Sequence, residues 1–341
     1  MQLQIFKDFT QVEPWADQWN DLLACCSASH VPFLRFEYQK AWWNTLGGGE
    51  WPQGELFIAA GRADSGELVG IAPLFFTHNR DGLPALLLVG SIEISDYLDL
   101  VVRTDRLDEF IATLFDWLAG PEAPAWQALD FNNLPEESPS LPALEWAAAA
   151  RGWTMERRRL QPCPRIPLPG DWETYLAAID KKQRHEIRRK MRRAEESPTP
   201  VGWYIAGDPD TLDAETQAFL DLMAQDPEKE AFLTPVMRQA MLALVRAAFD
   251  AGWLQLAFLT VNGEKAAAYL NFDYAGHIWV YNSGLNFNFR EVSPGWVLLG
   301  YLLQWANQNG RQFFDFMRGD EDYKYRFGGV NRYVYRALIT R

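Results

Sequence analysis

At 341 residues, almost half of them hydrophobic and 15 of them Trp, the chain has enough apolar mass for two folded domains, and global disorder is excluded. A formal net charge of −13 argues against general nucleic-acid affinity and leaves room only for a local basic patch. MQLQIFKDFTQVEPWADQW lacks a signal-peptide pattern, no apolar run reaches the roughly 20 residues of a membrane span, and Cys25, Cys26, Cys163 and four scattered His give no metal-ligand spacing, so a cytoplasmic, metal-free protein is expected.

From Glu55, ELFIAAGRADSGELVGIAPLFF reads as two β-rich runs around a turn at Ala63, Asp64, Ser65 and Gly66, a hairpin. ISDYLDLVV (Ile94 to Val102) reads as a strand, LDEFIATLFDWLAG as an amphipathic helix stopped by Gly120, and WQALDFNNLPEE as a further strand. Five of the ten residues 161–170 are Pro or Gly, which marks a joint between a domain at 1–160 and another at 161–341. A helix over 172–196 follows, with Asp171 as N-cap, an apolar stripe of Leu176, Ile179, Ile187 and Met191, and Ser197-Pro198 as its end. Its second half, KKQRHEIRRKMRR, holds eight Lys or Arg in 13 residues. Such a run is either a solvated face or a cationic ledge, with Arg188 and Arg192 candidates for binding an anionic substrate or phosphates.

WLQLAFLTVNGEKAAAYLNFDY (Trp253 to Tyr274) is a second hairpin, turning at Asn262-Gly263. HIWVYNSGL (His277 to Leu285) then gives a strand, SPGWVLLGYLLQWANQNG a helix, and Gln312 to Met317 the next strand. Hairpin, strand, helix, strand thus occurs twice, which predicts two related α/β units.

The second helix start is a candidate anion site. Ser293 is placed to cap, Pro294 fits the first helical position, and Gly295 admits a close neighbour. The N–H groups of Gly295, Trp296 and Val297 are expected to point outward at the positive end of the helix dipole, where a diphosphate binds. The Asn282-Ser283-Gly284 break in the preceding strand adds an edge along which an extended thioester lies. Beyond the last strand, Asp315, Arg318, Asp320, Glu321, Tyr323 and Lys324 are expected to cluster near Asn282, as a site at a strand end or as a structural ion network.

The YNSG strand, the SPGWVLL start, the NG closing that helix and DFMRGDEDYKYRFG together resemble the GNAT-type acyltransferases of the CelD/BioF2-like group, relatives of the FemAB-like double-GNAT transferases. The resemblance spans Asp171 to Gly328; the first half resembles the degenerate GNAT-like unit that precedes this domain in the group. It implies an α/β (α+β) fold of two tandem GNAT-like units, each a mixed, mostly antiparallel sheet flanked by helices. It also implies acetyl-CoA or another acyl-CoA as donor, and an amine or hydroxyl of a small molecule or envelope-glycan precursor as acceptor, as in exopolysaccharide biosynthesis. The Gln/Arg-x-x-Gly-x-Gly/Ala pyrophosphate loop usual in that superfamily is absent, and Ser-Pro-Gly stands in its place.

For direct attack on a thioester, Asp315 and Asp320 are the candidate bases, with Asp96 of SDYLD a third if the acceptor lies between units. Tyr323 is the candidate acid for the departing thiolate, and no Ser-His-Asp or Cys-His arrangement is readable. Two other readings stand beside this one. One is a FemAB-like transferase using aminoacyl-tRNA, its basic helix gripping the RNA; the other is a non-catalytic module for an anionic ligand. Sheet edges and a Trp-rich surface are compatible with a homodimer.

Overall fold

The computed structural model describes residues 1–341; the side chain of Cys26 lies outside the described residues. The strands are β1 (Gln2–Phe6), β2 (Glu55–Arg62), β3 (Leu68–His78), β4 (Pro84–Leu88), β5 (Val101–Val102), β6 (Ala128–Pro135) and β7 (Thr154–Pro167). They continue with β8 (Val201–Ile205), β9 (Leu254–Val261), β10 (Glu264–Tyr274), β11 (His277–Leu285), β12 (Phe313–Asp315) and β13 (Val330–Thr340). Two compact units result, Met1–Gln161 with Tyr333–Arg341, and Pro162–Arg332. The chain enters the second unit within β7 and leaves it within β13.

In the first unit β1, β2, β3 and β4 are antiparallel neighbours, β6 lies parallel to β4, and β13 is antiparallel to β6. Helix α1 (Leu107–Ala119) buries Phe110, Ile111, Leu114, Phe115 and Leu118, the residues its periodicity selects. Two glycines make room for it: a Cβ on Gly70 would meet the Phe110 ring at 2.4 Å, and one on Gly61 at 2.8 Å.

The second unit repeats the pattern. β8, β9, β10 and β11 are antiparallel, β12 is parallel to β11, and β7 is antiparallel to β12. The Asn262-Gly263 turn has positive φ at both residues, 52° and 79°, as a two-residue hairpin requires. Two of its helices, α2 (Trp172–Ala178) and α3 (Lys181–Glu195), come from the basic segment, followed by α4 (Leu212–Met223) and α5 (Pro227–Phe232). Helix α6 (Pro294–Gln308) buries Val297, Leu298, Leu302, Leu303 and Ala306 against the sheet, and α7 (Asp322–Arg326) follows β12. The expected mixed, mostly antiparallel fold with flanking helices is therefore what the chain forms.

Five local expectations are corrected. Ile94 to Leu100 is irregular, and only Val101–Val102 is strand. Side chains serve its backbone in place of a ladder: Tyr38 donates to the Ile94 carbonyl at 2.6 Å and Asn133 to those of Ile92 and Ser95 at 2.8 Å. The single helix over 172–196 is two, because Ile179 is extended and Asp180 caps a new start by accepting from the Lys182 and Gln183 amides. The Pro-rich joint lies largely within β7. Proline cannot donate, but the Pro162 and Pro164 carbonyls accept from the Gly319 and Phe316 amides, so these positions pair through their acceptors alone. Finally, β12 ends at Asp315 and not Met317, and Tyr333–Arg341 joins the first unit by pairing with β6.

The position of β11 depends on a close backbone approach. A Cβ on Gly284 would come within 2.6 Å of the Met223 amide nitrogen and 2.7 Å of the Leu222 carbonyl carbon, neither of which yields as a side chain would. Gly284→Ala is expected to cost about 1–3 kcal/mol, the scale of overpacking, measurable as a lower urea midpoint at unchanged slope.

Candidate active site

Strands β11 and β12 run together only from His277/Phe313 to Trp279/Asp315. Past that point β12 peels away. The Asp315 carboxylate accepts from the Met317 amide at 2.7 Å, Met317 turns with φ 55°, and Phe316 and Gly319 bond the β7 carbonyls. β11 continues to Leu285, its register against β10 shifting at Leu270/Asn271. Its edge beyond Trp279 has lost its strand partner.

A lysine occupies part of that edge. Lys229 on α5 donates from Nζ to Asn282 Oδ1 at 3.0 Å and to the Ser283 carbonyl at 2.5 Å. Burial lowers its pKa, against the opposing pull of Asp226 and Glu321. Asn282 and Ser283, expected at the donor site, are thus held together by one amine.

An open cleft of about 440 Å³ begins beside this edge. Ser283 and Leu285 of β11 form one side, and Asn286, Phe287 and Arg290 of the connecting turn another. Ser293, Pro294 to Trp296 and Leu299 of α6, Tyr323 of α7 with Phe327 just past its end, and Tyr269 of β10 complete it. Its surface is chiefly apolar. Trp296 packs on Phe327 with ring centroids 4.6 Å apart, and the Lys190 amine of α3 sits 4.1 Å above the Trp296 ring.

The helix start lies in this cleft but offers less than its sequence promises. Ser293 is left-handed, with φ and ψ both 54°, and its side chain makes no cap. Its carbonyl accepts from the Trp296 amide at 3.0 Å and the Val297 amide at 3.1 Å. Pro294 has no N–H, so only the Gly295 amide is open, and Leu285 Cδ2 would meet a Cβ there at 2.7 Å. The expected cradle of three amides is one amide, because the left-handed cap tightens the first turn onto its own carbonyl.

Two phenols reach the cleft. Tyr269 stands opposite Ser283 across the β10–β11 ladder and is 5 % exposed. Burial raises its pKa, and burial raises that of Tyr323 too, with smaller contributions from Tyr269 and Glu321. Among the described residues neither hydroxyl has a hydrogen-bond partner within the protein. Both phenols are neutral donors near neutral pH.

The ionic residues beyond β12 do not gather in the cleft. Lys324 is buried, donating to the Arg318 carbonyl at 2.8 Å and pairing with Glu321 at 2.9 Å, with the Met317 and Gly319 carbonyls also in reach. It braces the 317–319 turn, so its amine, expected to bind substrate, is spent on backbone. Glu321 and Asp320 are exposed, and Asp320 accepts from Tyr325. Asp315 is buried at the strand end, Arg318 is half-buried, and Asp96 belongs to the irregular stretch of the first unit. None of these lines the cleft.

The basic helix packs Ile187, Met191 and Ala194 inward, and Met191 Sδ would lie 2.8 Å from a Cβ on Gly300 of α6. Arg188 pairs with Glu173 and Arg189 with Glu186. Arg189, Arg192 and Arg193 line a second pocket, of about 410 Å³, together with Glu291 and Val292 of the turn that also carries Arg290. Sequence reasoning missed Tyr269, Lys229, Arg290 and Phe327. Tyr269 alone left a trace, a polar-tipped aromatic after three alanines in a strand otherwise fit for the core.

The fold has counterparts among known proteins. Residues 181–325 match the family model described as an acetyltransferase (GNAT) domain. The solved structure of FemX is similar at a TM-score of 0.67 and 12% identity, covering 99% of this chain and 97% of its own. A conserved protein of unknown function from Bacteroides thetaiotaomicron gives 0.63 at 12% identity with full coverage of both chains, 100% each. L-PGS from Bacillus licheniformis gives 0.52 at 13% identity, covering 83% of this chain and 84% of its own. No curated protein matches the chain in sequence. Residues 181–325 are thus similar in sequence to a GNAT acetyltransferase domain, and the chain as a whole shares its fold end to end with FemX.

Proposed function

We propose that the protein is a cytoplasmic acyltransferase that moves an acetyl or larger acyl group from acyl-CoA to an amine or hydroxyl of a small molecule or glycan precursor by direct attack. The observation that carries this is the cleft where β11 parts from β12, walled by the start of α6 and reached by two neutral phenols. Its apolar sides suit the pantetheine arm and the acyl group. Arg290 at the rim, with Arg192 and Arg193 in the neighbouring pocket, suits the phosphates, and the Gly295 amide adds one donor. Tyr323 gives its proton to the leaving thiolate. Since Asp315 and Asp320 stand away from the cleft, the acceptor's proton passes to water at the open mouth.

The basic face of α3 and the likeness to FemX favour a second reading, a FemAB-like transfer from aminoacyl-tRNA. Calorimetry separates the two. Wild-type protein is expected to bind acetyl-CoA, and Arg290→Glu to weaken that binding about tenfold while leaving acetyl-pantetheine, which lacks the nucleotide, unaffected. Absence of acetyl-CoA binding, with RNA binding that falls steeply as salt rises, would replace the first reading with the second.

Lys229→Met tests the edge. Removing the amine leaves the Ser283 carbonyl without this donor and Asn282 Oδ1 with the Ser283 amide alone, and amide hydrogen exchange at Ser283 and Gly284 is expected to quicken by about tenfold or more. Exchange at the wild-type rate would show that the edge holds without it.

A further inference from the structure

Resting on the acyl-CoA reading above, we infer that the Tyr269 hydroxyl binds the carbonyl oxygen of the thioester and carries the negative charge that develops there, which makes Tyr269 a catalytic residue of the transfer.

Three observations carry this. Tyr269 is 5 % exposed, yet its side chain lines the cleft beside Ser283, its neighbour across the ladder. Its hydroxyl has no acceptor within the protein among the described residues, so a phenylalanine would fill the same space without leaving a polar group unpaired. An unused donor held on a rigid central strand is poised for a partner that arrives with the substrate. The second phenol, Tyr323, lines the same cleft, and ionisation of Tyr269 opposes its own. The Trp296 and Val297 amides, already engaged by the Ser293 carbonyl, leave few other donors for an oxyanion.

The step balances without a further reactant. The acceptor's lone pair forms a bond to the carbonyl carbon as the C=O π pair moves onto oxygen, which Tyr269 O–H holds by a hydrogen bond. Collapse restores C=O and breaks the C–S bond, leaving its electron pair on sulfur. Tyr323 protonates the sulfur and regains a proton, through water, from the acceptor nitrogen or oxygen.

The test uses the full chain with acetyl-CoA labelled with carbon-13 at the carbonyl. Bound to wild type, the infrared carbonyl stretch is expected to move to lower frequency than in solution. In Tyr269→Phe it is expected to return most of the way to the free value, with affinity changed less than about threefold, since a neutral hydrogen bond to the ground-state carbonyl adds little net binding and strengthens as charge develops. With hydroxylamine as surrogate acceptor, thiol release by the variant is expected to fall on the order of 10²-fold, the scale of one lost oxyanion donor. An unchanged melting temperature in Tyr269→Phe separates this from a packing defect. Bound acetyl-CoA whose stretch is unshifted, or shifted equally in the variant, would overturn the role of Tyr269 and leave the acyl-CoA reading standing. Failure of wild type to bind acetyl-CoA would overturn both.

Discussion

The parallel pairing of β11 with β12 lasts three residues, and the rest of the second unit is arranged around its end. Two forces open it. β12 is drawn to the carbonyls that prolines leave available on β7, and β11 is kept on its course by the α4 backbone, against which Gly284 packs without a side chain. An open strand edge in an apolar setting carries unsatisfied carbonyls, a cost that water cannot relieve once the edge is covered. Lys229 meets part of that cost from the side, with an amine whose pKa falls because it is buried. The opening is therefore built into the fold, with part of its edge already satisfied by the protein itself.

That opening sets the chemistry. A helix start that spends two of its amides on its own carbonyl is a weak phosphate cradle, so on the acyl-CoA reading the burden of holding a nucleotide passes to side chains. Arg290 stands on the turn that leads into α6, and Arg192 and Arg193 face the other flank of the same turn. The floor, by contrast, holds no fixed charge. On the same reading, neutral phenols there would stabilise charge as it forms without attracting a charged ground state, which is the condition for selective transition-state binding.

The elements with local signals were legible. Both hairpins follow from their turn residues, and α1 and α6 from apolar spacing and their end residues. What escaped was decided by contacts distant in sequence. Nothing in ISDYLDLVV shows that Tyr38 and Asn133 will take its carbonyls, and nothing in PEKEAF shows that Lys229 will meet Ser283. The acidic and basic residues after β12 read as a site because charge density resembles function in one dimension. In three, Lys324 is a brace for its own turn and Asp320 faces solvent. Tyr269 was hidden for the opposite reason, since a tyrosine among core residues looks like packing until its hydroxyl is found unpaired.

The first unit shows why one site falls where it does. Its β4 and β6 also pair in parallel over three residues, Ala85–Leu87 against Ala128–Asp130, so the same opening is topologically available. There the protein closes it with its own chain. Asn133, completely buried with φ 61°, donates to the Ile92 and Ser95 carbonyls, and its carbonyl accepts from the Leu98 amide at 2.9 Å. Asp99 below them is buried and bonded by Ser29 and Ser138, its pKa raised by burial. A ligand at that position would have to displace an internal segment together with its hydrogen bonds, whereas the second unit keeps an open cleft beside the corresponding edge. Two copies of one strand order thus diverge by what fills a single gap, polypeptide in the first and a cleft in the second.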